Sequence, residues 1–252
     1  VTVNSSSSVK ILDCFSPERP AWSLAELSAY LGLPKSTLHR FLVSLESHGI
    51  LRRDAGDKQW RLGYRLSIWG GLAAQSTGLR HLARPIMRDL VAATGETAIL
   101  TVYRDHEVIC IEKVETSHSV RMTLDVGTRR PPHAGASSKV LMAYLPDEEI
   151  QAVIEDRGLP HLCRNTITGP DELKAELIRI RELGYAESCE ETDPGAWGVA
   201  TPIRDQSGSV VAAIGIAGPS SRFTDELRQR YVTLCRQAAR RISALLGGGA
   251  EP

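Results

Sequence analysis

Residues 23–45 read SLAELSAYLGLPKSTLHRFLVSL, and this stretch decides the amino-terminal fold. Ser23 and Glu26 form a capping-box pattern. The Ser23 hydroxyl can accept the third backbone N–H of a helix while Glu26 reaches back. Leu24, Leu27 and Leu31 then line one helical face. Gly32 suits a sharp turn, where φ is positive. Pro34 suits the first position of a second helix, because the N–H it lacks has no helical partner there. Leu38, Phe41, Leu42 and Leu45, at i, i+3, i+4 and i+7, give that helix an apolar face to about His48, and Gly49 stops it. Two short helices joined by about three residues that include glycine predict a helix-turn-helix.

Downstream, Ile50–Arg53 and Lys58–Leu62 flank Asp54-Ala55-Gly56-Asp57 and predict a two-stranded hairpin, a wing. Its tip carries Arg52, Arg53 and Lys58. The outward positions of the second helix are Lys35, Ser36, Thr37, His39, Arg40 and Ser44. Lys and Arg can bond guanine or phosphate, Ser and Thr can bond phosphate or base, and a helix start favours phosphate through its free N–H groups. No acid stands between Pro34 and Leu45. A solvated face of an ordinary helical hairpin would also be polar. The capping box, glycine turn, acid-free face and basic wing together favour double-stranded DNA, and these nine residues are the candidate contacts.

The chain has 252 residues, with 30 Lys and Arg against 30 Asp and Glu and therefore no formal net charge. Apolar residues at 42% suffice for a core, which excludes wholesale disorder, collagen and disulfide-scaffold classes. Neutrality excludes a uniformly basic nucleic-acid coat. It conceals an asymmetry: residues 1–80 hold 10 basic against 6 acidic side chains, and residues 81–252 hold 20 against 24. No apolar run approaches the length of a membrane span, and the first fifteen residues lack a basic cluster leading into an apolar run. The cysteines, Cys14, Cys110, Cys163, Cys189 and Cys235, are scattered with no C-x-x-C pair. Reduced thiols in the cytoplasm are expected, with no metal and no cofactor.

Leu66, Trp69, Leu72, Ala73 and Leu79 predict a connecting helix over 66–83 that ends near Pro85, its apolar stripe suited to pairing with a second chain. From Pro85 the pattern restarts with a helix that Gly95 ends. Strands are expected at Ala98–Tyr103 and Val108–Val114, with a weaker one at Val120–Val126 and a loop from Gly127 to Pro132. Helices follow at Ala136–Leu145, Asp147–Ile154 and Pro170–Leu183. A hairpin of Val199–Ile203 and Val210–Ala217 precedes a last helix from about Thr224 to Leu246. This order predicts an α+β domain with a mostly antiparallel, helix-covered sheet. The expected organisation is residues 1–65 for the winged helix-turn-helix, 66–83 for the connecting helix and 84–248 for the second domain.

Four ordered blocks resemble the IclR family of bacterial transcription regulators over nearly the whole chain. They are the Ser23–Leu62 block; His133-Ala134-Gly135-Ala136-Ser137-Ser138-Lys139; Gly184-Tyr185-Ala186 followed by Glu190-Glu191; and Gly195 with Val199-Ala200-Thr201-Pro202-Ile203, then Ala213–Arg222. The resemblance implies a GAF-like effector-binding domain and a homodimer or dimer of dimers. It also implies control of a catabolic or metabolic operon by a small molecule, often an organic acid. Carried over position by position, the effector pocket would be lined by Met122, Arg130, Ala136, Ser137, Ser188, Ala196, Gly198, Gly215 and Ala217. Here Ser188 replaces the family's frequent acid, Gly198 a frequent cysteine, and Gly215 and Ala217 two serines. These departures remove polar groups and volume, so a bulkier, more apolar acid is expected, aromatic or branched, with Arg130 on its carboxylate. His133 suits a structural hydrogen bond or a ligand contact, and Trp197 a pocket lid or a cover for the hairpin.

Catalysis is not expected. Gly195-Ala196-Trp197-Gly198 holds no serine for a nucleophile elbow, and Gly247-Gly248-Gly249 has no lysine after it to make a phosphate loop. Ser137-Ser138-Lys139 lacks the S-x-x-K spacing, and Glu190-Glu191 read as solvated. The rival regulator reading is a thiol-based redox switch with the same DNA-binding domain, though only Arg164 and Arg236 adjoin cysteines.

Overall fold

The structure, a computed structural model, describes residues 6–16, 19–53, 56, 58–69, 78–122 and 124–247. It divides into two compact units, residues 1–77 and 78–252.

In the first unit, α1 (Ser6–Leu12) and β1 (Ala21–Trp22) precede α2 (Leu24–Leu31) and α3 (Lys35–Ser47). Then come β2 (Leu51–Arg53), β3 (Trp60–Leu62) and a helical stretch at 64–69. The capping box closes both ways. The Glu26 N–H donates to Ser23 Oγ at 3.3 Å, and the Ser23 N–H donates to Glu26 Oε2 at 2.9 Å. Such a cap stabilises a helix by about 1 kcal/mol. Gly32 turns the chain at φ 64°. Pro34 sits one position earlier than expected. Its ψ of 137° is extended, so it is the cap residue and Lys35 opens the helix. Ile11, Leu27, Leu38, Leu42, Leu45, Leu51, Trp22 and Trp60 form one buried cluster. Full burial of each large apolar side chain is worth about 1.5–3 kcal/mol. The sheet order is β1-β3-β2, all antiparallel, with Trp22 opposite Trp60. β1 went unforeseen because two residues show no period.

The wing's two strands lie where expected. Of its turn, residues 54, 55 and 57 lie outside the described residues, as do 70–77 of the expected connecting helix.

The second unit runs α4 (Gly78–Thr94), β4 (Thr97–Arg104), β5 (Glu107–Val114), β6 (Arg129–Arg130), α5 (Ala136–Ala143), α6 (Asp147–Arg157) and α7 (Pro170–Leu183). It continues through β7 (Ala186–Cys189), β8 (Ala196–Arg204), β9 (Val210–Pro219) and α8 (Asp225–Leu245). Six antiparallel strands form one sheet in the order β6-β5-β4-β9-β8-β7. The α+β architecture is therefore as read from the sequence.

Alternation along the strands gives the sheet two unlike faces. One face carries Leu100, Trp197, Val199, Ile203, Ile214 and Ile216 and packs on α4 and α8. The other carries Ala136's partners, the small Ala200 and Ala213 with Val108 and Ala186, and packs under α5, α6 and α7. Gly198, Gly215 and Ala217 fall on this second face by the same alternation. Small residues there leave space beneath α5.

Three expectations are corrected. α4 continues through Pro85 instead of breaking there. Pro85 is exposed while Ala83, Ile86, Met87 and Leu90 are buried, so packing of one face outweighs the roughly 3 kcal/mol that a mid-helix proline costs. The described residues of 120–126 form no strand, and Val120 and Val126 stay exposed while Met122 and Leu124 line a cavity. The supposed loop at Arg129 and Arg130 instead pairs with Ile109 and Val108 as β6.

Candidate nucleic-acid interface and effector cavity

The buried residues of α3 are Leu38, Leu42 and Leu45. That leaves Ser36, Arg40 and Ser44 on one exposed stripe, with Lys35, Thr37 and His39 exposed beside them. No side chain caps the start of α3, so its first N–H groups face outward at the acid-free end. Arg52, Arg53 and Lys58 are exposed on the wing. Arg53 lies over the Trp60 ring at 5.1 Å and 3.9 Å from Glu46 Oε1, which holds its guanidinium beside the end of α3. Arg52 lies 5.9 Å over the Tyr64 ring.

In the second unit a cavity of about 100 Å³ opens between the small-residue face of the sheet and the start of α5. All nine residues expected there line it: Met122, Arg130, Ala136, Ser137, Ser188, Ala196, Gly198, Gly215 and Ala217. The glycines differ in role. A Cβ at Gly198 would come 3.1 Å from the Ile216 oxygen and 3.9 Å from Ala136 Cβ, at the cavity wall. A Cβ at Gly215 would overlap the Val199 carbonyl, so that glycine serves the close approach of β9 to β8. Gly135 precedes α5 at φ 91°, and no side chain caps the helix. The first-turn residues Ala136, Ser137 and Ser138 all border the cavity, so the positive end of α5 points at it.

Arg130 is not a lone cation. Its Nη2 lies 3.2 Å from Asp193 Oδ2, and both residues line the cavity. Sequence reasoning missed Asp193, which is 63 residues away in the chain. It also missed Thr101, whose buried Oγ1 has no hydrogen-bond partner and borders the same cavity. The period-2 pattern of Ala98–Tyr103 could have placed Thr101 on the face of Ile99, which also lines it.

Behind the cavity lies an ion cluster. The Lys139 ammonium, 2% exposed, donates to Glu191 Oε1 at 2.7 Å and to Glu176 Oε1 at 2.9 Å. Glu191 Oε2 accepts the Gly135 N–H at 2.9 Å. Glu191 is therefore buried and paired, which corrects its reading as a solvated acid. It fixes the loop that enters α5. Burial pushes the Glu176 carboxyl up, but Arg179 and Lys139 outweigh it and hold it below the ordinary value.

His133 is 1% exposed, and its Nε2 pairs with the Pro160 carbonyl at 3.1 Å. It does not line the cavity, and burial lowers its pKa. The Trp197 ring stacks on Phe223 at 3.6 Å between centroids and belongs to the opposite core, though the residue also borders the cavity. All five cysteines are free. Burial pushes Cys110 up to about 11 and Cys235 up to about 12, which disfavours their thiolates. Among the described residues, no His, Cys, Asp and Glu group could hold a metal, and no helix is long and apolar enough to cross a membrane.

Two family models match this chain. One, for the IclR helix-turn-helix domain, covers residues 8–55, and one, for the bacterial transcriptional regulator IclR C-terminal region, covers residues 71–244. The chain belongs to the IclR family of bacterial transcriptional regulators. It is 31% identical to the transcriptional repressor IclR of Escherichia coli, over 95% of this chain and 88% of that one. The Thermotoga maritima IclR crystal structure is similar at TM-score 0.74 and 31% identity, covering 96% of this chain and 98% of that one. An IclR homologue from Microbacterium hydrocarbonoxydans, solved in complex with 4-hydroxybenzoate, is similar at TM-score 0.83 and 30% identity, covering 95% and 97%.

Proposed function

We propose that this chain is a cytoplasmic, non-catalytic repressor of a catabolic or metabolic operon, released or tightened by a small aromatic or branched organic acid. DNA reading is assigned to residues 1–65, effector sensing to 84–248 and coupling to 66–83, within a homodimer or dimer of dimers. The carrying observation is the cavity that unites nine positions scattered from Met122 to Ala217 at the start of α5. Its chemistry supports an acid. Arg130 and the α5 start supply positive charge, and Ile99, Val108, Met122 and Leu124 supply apolar wall.

The apolar wall, not the volume, narrows the class: at about 100 Å³ the cavity is smaller than the roughly 150 Å³ that holds benzene, so a ring or branched chain widens it on binding. Thr101 Oγ1, buried without a partner, favours a ligand with a second polar group. The complex of the Microbacterium homologue with 4-hydroxybenzoate supports the same class. The effector binds one arrangement of the dimer better than another, and a preference of about 1–3 kcal/mol changes operator affinity roughly 5- to 150-fold.

The test is a titration of the full chain with 4-hydroxybenzoate, a branched aliphatic acid, glyoxylate and pyruvate, followed by gel shifts on its own promoter fragment. Tight binding of an aromatic or branched acid, with a matching change in promoter affinity, is expected. Tight binding of glyoxylate alone removes the apolar-wall argument. A promoter shift that follows peroxide and ignores every acid favours the thiol switch, for which the buried, high-pKa Cys110 and Cys235 give no support.

A further inference from the structure

We infer that the second unit holds another anion site, in a pocket of about 290 Å³ bordered by the end of α7, the end of β8 and the last turns of α8, and that its ligand is a small organic phosphate. It shares no lining residue with the effector cavity, so it stands apart from the proposed function.

Four arginines line this pocket, Arg181, Arg204, Arg236 and Arg240, against one acidic residue, Glu182. Three of them are held in place. Arg181 Nε donates to the Ala143 carbonyl, the last residue of α5, and Arg236 Nη2 donates to the Leu183 carbonyl, the last of α7. Arg181 also reaches Asp147 Oδ1 at 3.2 Å, and Arg204 Nη1 donates to the Gly208 carbonyl at 2.9 Å. Arg204 and Arg236 lie over the rings of Tyr144 and Tyr185 at 4.7 and 5.0 Å. A guanidinium has five N–H donors, so these contacts orient each fork and leave donors over on Arg181 and Arg236.

Arg240 is different. It is exposed, borders the pocket and takes part in no hydrogen bond or ion pair among the described residues. It follows Arg236 by one helical turn, and like charges at i and i+4 repel. A bound anion relieves that repulsion.

The geometry selects the anion. A planar carboxylate is satisfied by one fork in its plane. A tetrahedral phosphate accepts from several directions, which matches forks arriving from α7, β8 and two turns of α8. The pocket is larger than the effector cavity and has room for the carbon body.

The experiment is calorimetry and thermal melting of the full chain with inorganic pyrophosphate at fixed ionic strength, with citrate and sodium chloride as comparisons. Pyrophosphate is expected to bind at submillimolar concentration and raise Tm. Arg240→Glu should weaken it at least about tenfold. Arg88→Glu makes the same charge change at an exposed position of α4 and should leave binding intact. Unchanged melting of both variants without ligand certifies their folds. No pyrophosphate binding by the wild-type chain overturns the inference. So does equal loss in the two variants, tighter binding of citrate, or an equal effect of chloride. The DNA backbone is the other source of phosphate. If Arg240→Glu lowers affinity for random duplex DNA while pyrophosphate never binds, the small-ligand site is refuted.

Discussion

Asp193 Oδ2 stands 3.2 Å from Arg130 Nη2, so the cation expected to take a ligand carboxylate already holds a protein one. An incoming acid must displace Asp193 or share the fork with it. Both residues are partly exposed, so the pair itself contributes little to stability, about 0–1 kcal/mol. Asp193→Asn should therefore leave Tm nearly unchanged and tighten binding of an aromatic acid several-fold. Arg130→Met should weaken it about tenfold, the scale of a charged hydrogen bond. Calorimetry reads both. Weaker binding in Asp193→Asn would show that Asp193 orients Arg130 instead of competing for it.

The two glycines should separate cleanly. At Gly215 an added methyl meets the Val199 backbone oxygen, which cannot yield without moving β8. Gly215→Ala is expected to cost about 1–3 kcal/mol in urea unfolding, the range for an overpacked core. Gly198→Ala meets the Ile216 oxygen at 3.1 Å and should cost less, yet narrow the cavity between Ala136 and Ala217. Its signature is lost acid binding in a well-folded chain. An equal stability loss at both positions would contradict this division.

What the sequence showed depends on how local each signal is. Ser23, Glu26, Gly32 and the leucine spacing of α2 and α3 are short-range, and all appear in place. Gly198 and Gly215 were placed at the pocket by resemblance, but their different duties rest on the β8–β9 register, which no local pattern encodes. Asp193 beside Arg130 and Glu191 beside Lys139 are joined only by tertiary folding, across 63 and 52 residues. Pro85 read as a stop because the burial that overrides it comes from the sheet beneath α4.

The Lys139 cluster predicts acid sensitivity. Glu176 has a folded pKa below its unfolded one, so its contribution is fully present above the ordinary carboxylate range and is lost as pH falls through the lowered value. Melting curves from pH 6 down to about pH 3 should show Tm falling, and Glu176→Gln should flatten that fall. Lys139→Met should cost more at neutral pH, about 3–5 kcal/mol, because it leaves buried Glu191 without its cation. A pH profile identical in wild type and Glu176→Gln would show that other carboxylates govern it.

Arg40 and Arg53 should lose different things. Arg40 lies on the exposed α3 stripe between Ser36 and Ser44, where a helix in the major groove presents side chains to base edges. Arg53 sits on the wing, held by Trp60 and Glu46, and is proposed to contact the phosphate backbone. Removing a base contact costs about 1–3 kcal/mol on the correct sequence and little elsewhere. Removing a phosphate contact weakens all sequences and reduces the salt slope by about one. Arg40→Ala should thus lower operator affinity more than random-DNA affinity, while Arg53→Ala lowers both and flattens the dependence on salt. Fluorescence titrations of both duplexes at several salt concentrations separate them. Equal losses on operator and random DNA for Arg40→Ala would reassign that residue to the backbone.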